Sequence, residues 1–156
     1  MGVNNYNKLR KKYNLPDHKK LSERLEIEID TSKTEVLVIQ EIRNQITERL
    51  YDFMKNIESI LFTSEGSDPS QLYQEDMIKT CSKEGFELFR EFNHLYFEGV
   101  VLSFKHDRKA DSAFINKIFN SWHEIEKKLL KFFGALEKGW EEFDGPGEMG
   151  HETYHG

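Results

Sequence analysis

Leu25-Glu26-Ile27-Glu28-Ile29-Asp30-Thr31-Ser32-Lys33-Thr34-Glu35-Val36-Leu37-Val38-Ile39 is the stretch on which the fold class turns. Residues 25 to 30 alternate apolar and charged at the period of a half-buried strand, and a partner strand can be drawn through Glu35 to Ile39. Paired, the two would make a hairpin and an α+β protein. Against that stands Ser32-Lys-Thr-Glu35, a capping-box pattern in which the serine oxygen and the glutamate side chain satisfy amide donors at a helix start. The helix is the better account, because the apolar residues from Ile39 onward recur at three and four rather than two. Ile39, Ile42, Ile46, Leu50, Phe53, Ile57 and Ile60 form one apolar stripe along a helix of roughly 30 residues, with Arg43, Glu48, Lys55 and Glu58 on the solvent face.

Two further helices emerge from the same arithmetic. After Ser64-Glu-Gly-Ser-Asp-Pro-Ser70, a loop in which Asp68 is placed to cap, Pro69 to take the first helical position and Gln71 to close the cap, a stripe runs through Ile78, Cys81, Phe89, Phe92, Tyr96 and Val100. Leu88, Leu95 and Leu102 widen it, and Gly85 and Gly99 are each tolerated at about 1 kcal/mol relative to alanine. A polar turn over 105–112 leads to the third helix, marked by Ile115, Ile118, Trp122, Ile125, Leu129, Phe132, Leu136 and Phe143. Short connections favour antiparallel neighbours, so the expected fold is all-α, an up-down-up bundle of three long helices. Residues 1–30 are expected to form a basic arm that packs on the bundle, with short helices interrupted at Leu15-Pro16, residues 31–143 the bundle, and residues 144–156, with four glycines and no apolar period, a flexible tail.

Composition agrees with a folded chain. Charged residues reach 32 %, yet aromatic residues reach 13 %, including 12 Phe, and bulky apolar groups of that abundance offset the entropy of ordering. A single cysteine, Cys81, excludes an internal disulfide and is expected to be an inert core thiol, which points to a cytoplasmic setting. No apolar run of signal-peptide or bilayer-spanning length occurs, so neither secretion nor a membrane span is expected.

The net charge of −6 hides an asymmetry. Residues 1–24 hold seven Lys or Arg against Asp17 and Glu23, an excess of five, so the remainder carries eleven more acids than bases. Lys8, Arg10, Lys11 and Lys12, interleaved with Tyr6 and Tyr13, are able to touch phosphates and stack on bases, or to meet an acidic partner. A nucleic-acid-binding domain is usually basic throughout, and this one is acidic beyond residue 24, which favours an arm that packs electrostatically on its own acidic bundle or on a partner subunit.

The sharpest chemical pattern is Glu91-Phe-Asn-His94, extended by Glu98. On a helix these three side chains share a face, and Glu-x-x-His is the unit with which ferritin-like bundles hold iron or manganese. A di-iron site needs a second copy, and the chain has none, so a mononuclear divalent transition-metal site on Glu91, His94 and Glu98 is the alternative to an ordinary solvated face. His106-Asp107, His18, and the tail pair His151 and His155 are weaker. Glycine-rich phosphate loops, nucleophile elbows and His-Glu-x-x-His are all lacking. Phe86, Phe97, Phe104, Phe119, Phe133 and Trp140 fall outside the narrow stripes, so the second and third helices are apolar over a wide arc, and the surplus is expected to be covered by the N-terminal segment folding across the bundle together with self-association. The expectation is therefore a non-catalytic interaction or scaffold protein, self-associating as a homodimer or binding an unknown protein partner, with the metal-binding bundle and the nucleic-acid-associated protein as alternatives.

Overall fold

The computed structural model describes residues 2–62 and 69–142. They form five helices and no strand: α1 (Gly2–Tyr13), α2 (His18–Leu25), α3 (Glu35–Leu61), α4 (Pro69–Lys105) and α5 (Arg108–Glu142). The all-α class is thus correct. The Asp68 cap, Phe143, the 144–156 tail and its histidines lie outside the described residues, as do the side chains of Ile78, Cys81 and Trp140.

The two short helices end alike. Asn14 and Glu26 take left-handed backbone conformations, φ 54 and 52°, and the next residue in each case reaches back five positions: Leu15 N–H to the Arg10 carbonyl at 3.0 Å, Ile27 N–H to the Ser22 carbonyl at 3.2 Å. This is the Schellman arrangement, completed by burying the residue after the left-handed one. Leu15 and Ile27 are both in the core.

Burial alternates from Leu25 to Asp30 as the sequence pattern requires, yet among the described residues no strand pairs with this segment. The Gln45 side-chain amide takes that role, its Oε1 accepting from Glu28 N–H at 2.8 Å and its Nε2 donating to the Glu28 carbonyl. The capping box does not form. Ser32 instead turns both its amide and its hydroxyl onto Asp30 Oδ1, and α3 begins only at Glu35, with Val38 N–H bonded to the Thr34 carbonyl at 3.0 Å. Those bonds hold the Asp30 carboxyl below its ordinary range, because they favour its charged form. The turn before α5 is also shorter than expected: Asp107 Oδ1 accepts from the amides of Lys109 and Ala110, at 3.0 and 3.2 Å, and so caps a helix already under way at Arg108.

The chain divides into two compact units, each drawing on the three long helices: residues 1–53 with 92–125, and residues 54–91 with 126–156. In the first, Tyr6 and Leu9 of α1 and Leu21 and Leu25 of α2 join Ile39, Ile42, Ile46, Leu50, Phe92, Phe114 and Trp122 in the core. Phe53 lies between Phe92 and Trp122, 5.7 Å from each ring centroid. In the second, Ile57, Leu61, Leu88, Leu129, Phe132 and Leu136 are buried.

Two expectations are corrected by the packing. Along α4 the buried seam is Gly85, Leu88, Phe92, Leu95, Gly99 and Leu102, spaced three and four, while Phe89, Tyr96 and Val100 are only half-buried. The glycines are part of the packing. A Cβ on Gly85 would lie 2.8 Å from Phe132 Cε1 and 2.9 Å from Leu61 Cδ2, and one on Gly99 would strike Thr47 Oγ1 and come within 3.1 Å of its Cγ2. Secondly, Arg43 is not on the solvent face: it is 3 % exposed and ion-paired to Asp111 across α3 and α5.

Candidate functional site

Because its seam uses glycines on the inward side, α4 carries bulky residues on its outward side. Phe97, Val101 and Phe104 are spaced at i, i+4 and i+7, one face of one helix, and are 57, 51 and 79 % exposed. Phe119, a further aromatic residue of this unit outside the narrow stripes, is covered: Arg24 of α2 stacks over its ring, 4.2 Å from the centroid, and the ring is half-buried. The N-terminal helices therefore take the surplus on α5 and leave the row on α4 open.

Beside that row, in the same unit, is a hollow of about 440 Å³ between α3 and α4, lined among others by Glu48, Tyr51, Asp52, Tyr96 and Val100. Three aromatic rings connect it to the row: Tyr51 meets Tyr96 at 5.2 Å between centroids, and Tyr96 meets Phe97 edge-on at 5.1 Å. Glu48 and Asp52 are exposed, and among the described residues neither carboxylate enters an ion pair or hydrogen bond. Lys55, three positions beyond Asp52, is engaged by Glu58 at 3.2 Å.

The residues singled out by sequence are placed differently. Glu98 accepts from Lys117 Nζ at 2.7 Å, and in the other unit Glu91 accepts from Lys128 Nζ at 3.1 Å; His94 is exposed. Lys131 pairs with Glu84 at 3.5 Å in the same manner. Thus α5 turns lysines toward this flank of α4, where a metal centre would need further nitrogen or carboxylate donors. Among the described residues no group of three or more His, Cys, Asp or Glu side chains is placed to hold a metal ion.

On α1, Lys8, Arg10, Lys11 and Lys12 are all exposed, with Arg10 3.9 Å from Asp17 and Lys12 5.4 Å from the Tyr13 ring. A shallow hollow of about 470 Å³ lies against Arg10 and Lys11. Tyr6, expected to be available for stacking on bases, is not: it is 1 % exposed, and its hydroxyl donates to the Pro16 carbonyl at 2.7 Å. Burial, aided by Asp17, raises the pKa of this phenol above its ordinary value. Tyr13 is half-buried, its carbonyl accepting from Asn116 Nδ2 at 3.3 Å. The arm keeps its cations in solvent and spends its aromatic groups on its own fold.

Sequence reasoning flagged Phe97 and Phe104 but missed Val101, Glu48 and Asp52. The available signal was two carboxylates at i, i+4 on one helix, flanked at i−4 and i+4 by Asn44 and Asn56 rather than by lysines. No protein-family model matches the chain, and comparison with curated proteins and with solved structures likewise finds no match. Among the described residues no helix is long and apolar enough to cross a membrane.

Proposed function

We propose that this chain is a non-catalytic helical-bundle protein that acts through protein–protein contacts. The observation that carries the proposal is the open row of Phe97, Val101 and Phe104. Single exposed apolar residues are ordinary on protein surfaces, but three bulky ones in register on one helix face, joined by ring contacts to two tyrosines, form a contiguous patch of the kind that marks an interface. A second copy in a homodimer and an unrelated protein are both able to cover such a row. The lone Cys81 supports a reducing, cytoplasmic setting.

The metal-binding alternative would require Lys117 and Lys128 to give up Glu98 and Glu91 and further ligands to be recruited. The nucleic-acid alternative retains four exposed cations, but Tyr6 is withdrawn from any stacking role.

Hydroxyl-radical footprinting tests the proposal. Phe104 is labelled in dilute protein, in concentrated protein and in cell extract. A lower rate of modification in either of the last two is expected; equal rates in all three would overturn an interaction role for this face.

A further inference from the structure

Resting on that interaction role, we infer that the α3–α4 face is a docking surface for a basic amphipathic helix of another protein. Anchors at i, i+4 and i+7 are the spacing at which one helix packs its apolar side on another. Phe97, Val101 and Phe104 supply that spacing, and the hollow beside them widens it into a groove whose wall runs through Tyr96 and Tyr51. The α3 side of the groove carries Glu48 and Asp52, one helical turn apart, exposed and uncompensated among the described residues. The other edge carries Lys105 and the Glu98 carboxylate already neutralised by Lys117. A partner helix therefore places its cations toward α3.

Two occupants that the described residues of this chain could supply are disfavoured, a second copy by charge and α1 by burial. In a two-fold contact the same surface meets itself, so Glu48 and Asp52 of each copy would be brought toward acidic counterparts, in a chain already eleven acids in excess beyond residue 24. The basic helix α1 has the right charge, but its apolar side, Tyr6 and Leu9, is buried in its own unit. The complement has to come from another protein.

The probe is a fluorescently labelled model helix with leucine at i, i+3, i+4 and i+7 and lysine elsewhere, titrated with the full chain by anisotropy. A matched leucine–glutamate helix serves as the control. The lysine helix is expected to bind and the glutamate helix not. Glu48→Gln with Asp52→Asn should weaken binding about tenfold. Phe97→Ser with Phe104→Ser should abolish it, at an unchanged melting temperature since neither ring is in the core. Glu137→Gln with Glu141→Gln, an acidic pair at the same spacing on α5, should leave it unaltered. Equal weakening by the α5 pair would reduce the effect to general attraction and overturn the inference, as would absence of binding. Sedimentation of the same variants separates the two levels. Failure of peptide binding together with a dimer that Phe104→Ser dissociates makes the occupant a second copy and leaves the interaction role standing. Failure together with an unprotected Phe104 removes both.

Discussion

Arg43 Nη1 donates to Asp111 Oδ2 at 2.9 Å inside the first unit, with both side chains almost wholly removed from solvent. The pair is incompletely satisfied: among the described residues Asp111 Oδ1 and Arg43 Nε have no hydrogen-bond partner, although Arg43 Nη2 also donates to Asn44 Oδ1 at 2.9 Å. Burial raises the Asp111 carboxyl above its usual pKa against the opposing pull of Arg43. Such a pair is weak as a source of stability but costly to break, because the survivor is left as an uncompensated buried charge.

Arg43→Met should therefore cost about 3–5 kcal/mol at neutral pH in denaturant unfolding. Without the guanidinium the folded pKa of Asp111 rises further above its unfolded value of about 3.9. The contribution of a group so shifted is fully present below the unfolded pKa and is lost as pH rises through the folded one. The deficit of Arg43→Met should accordingly shrink toward acid pH. A deficit independent of pH would show that Asp111 does not carry it.

Helical glycines in this chain should respond to alanine with opposite signs. Gly134 is exposed and among the described residues nothing lies within 4 Å of a Cβ built there, so Gly134→Ala should stabilise by about 0.5–1 kcal/mol through the unfolded chain and helix propensity. Gly99→Ala drives the new methyl into Thr47, whose hydroxyl is bonded to the Arg43 carbonyl at 2.8 Å, and should cost about 1–3 kcal/mol. Thr47→Ala in the Gly99→Ala background should recover part of that loss. Thermal unfolding of the four proteins decides it, and a stabilising Gly99→Ala would contradict the close approach of α3 and α4.

That same seam marks where the sequence was legible and where it was not. On α5 every described member of the expected stripe, from Ile115 to Leu136, is buried, because the spacing of three and four runs unbroken through these positions and fixes the phase of the helix although Phe119 and Phe133 widen its apolar arc. On α4 apolar residues occupy a wide arc, and two of the seam positions are glycines, which carry no hydrophobic signal; the pattern therefore centres on Phe89, Tyr96 and Val100 and leaves Leu88, Leu95 and Leu102 at its margin. Arg43 reads as a solvent residue because its partner is 68 residues away and nothing local announces it. Ser32 satisfies the capping pattern but has a nearer acceptor in Asp30. Of the candidate site, the surplus of aromatic residues is readable from composition, whereas its pairing with the uncompensated Glu48 and Asp52 requires α3 and α4 to be set side by side.

Tyr6 gives a test of how firmly α1 is held. Its hydroxyl bond to the Pro16 carbonyl fastens α1 to the turn that leads into α2, and Tyr6→Phe should cost about 1 kcal/mol. The folded pKa of the phenol lies above the unfolded value of about 10. Its contribution is thus fully present below that value and falls away as pH rises beyond it. Wild type should lose stability on that account above about pH 10, and Tyr6→Phe should lack this component. Parallel pH profiles for the two proteins would mean that the phenol is not held as described.

Metal content is the measurement that most directly separates the interaction role from the metalloprotein alternative. Glu91 and Glu98 are each held by a lysine of α5, and a cation binding at either would have to displace an ammonium group already at hydrogen-bond distance. His94 alone, exposed on the surface, offers one nitrogen, which is too few donors for a transition metal to persist through purification. Elemental analysis of tag-free protein prepared without chelators should therefore find less than one equivalent of any transition metal, unchanged in His94→Ala. The informative companion is Lys117→Ala with Lys128→Ala, which releases both carboxylates: metal uptake confined to that variant would show that the lysines block a latent site. One equivalent in the wild-type chain, lost in His94→Ala, would instead establish the metal centre and call for an assay of metal-dependent chemistry.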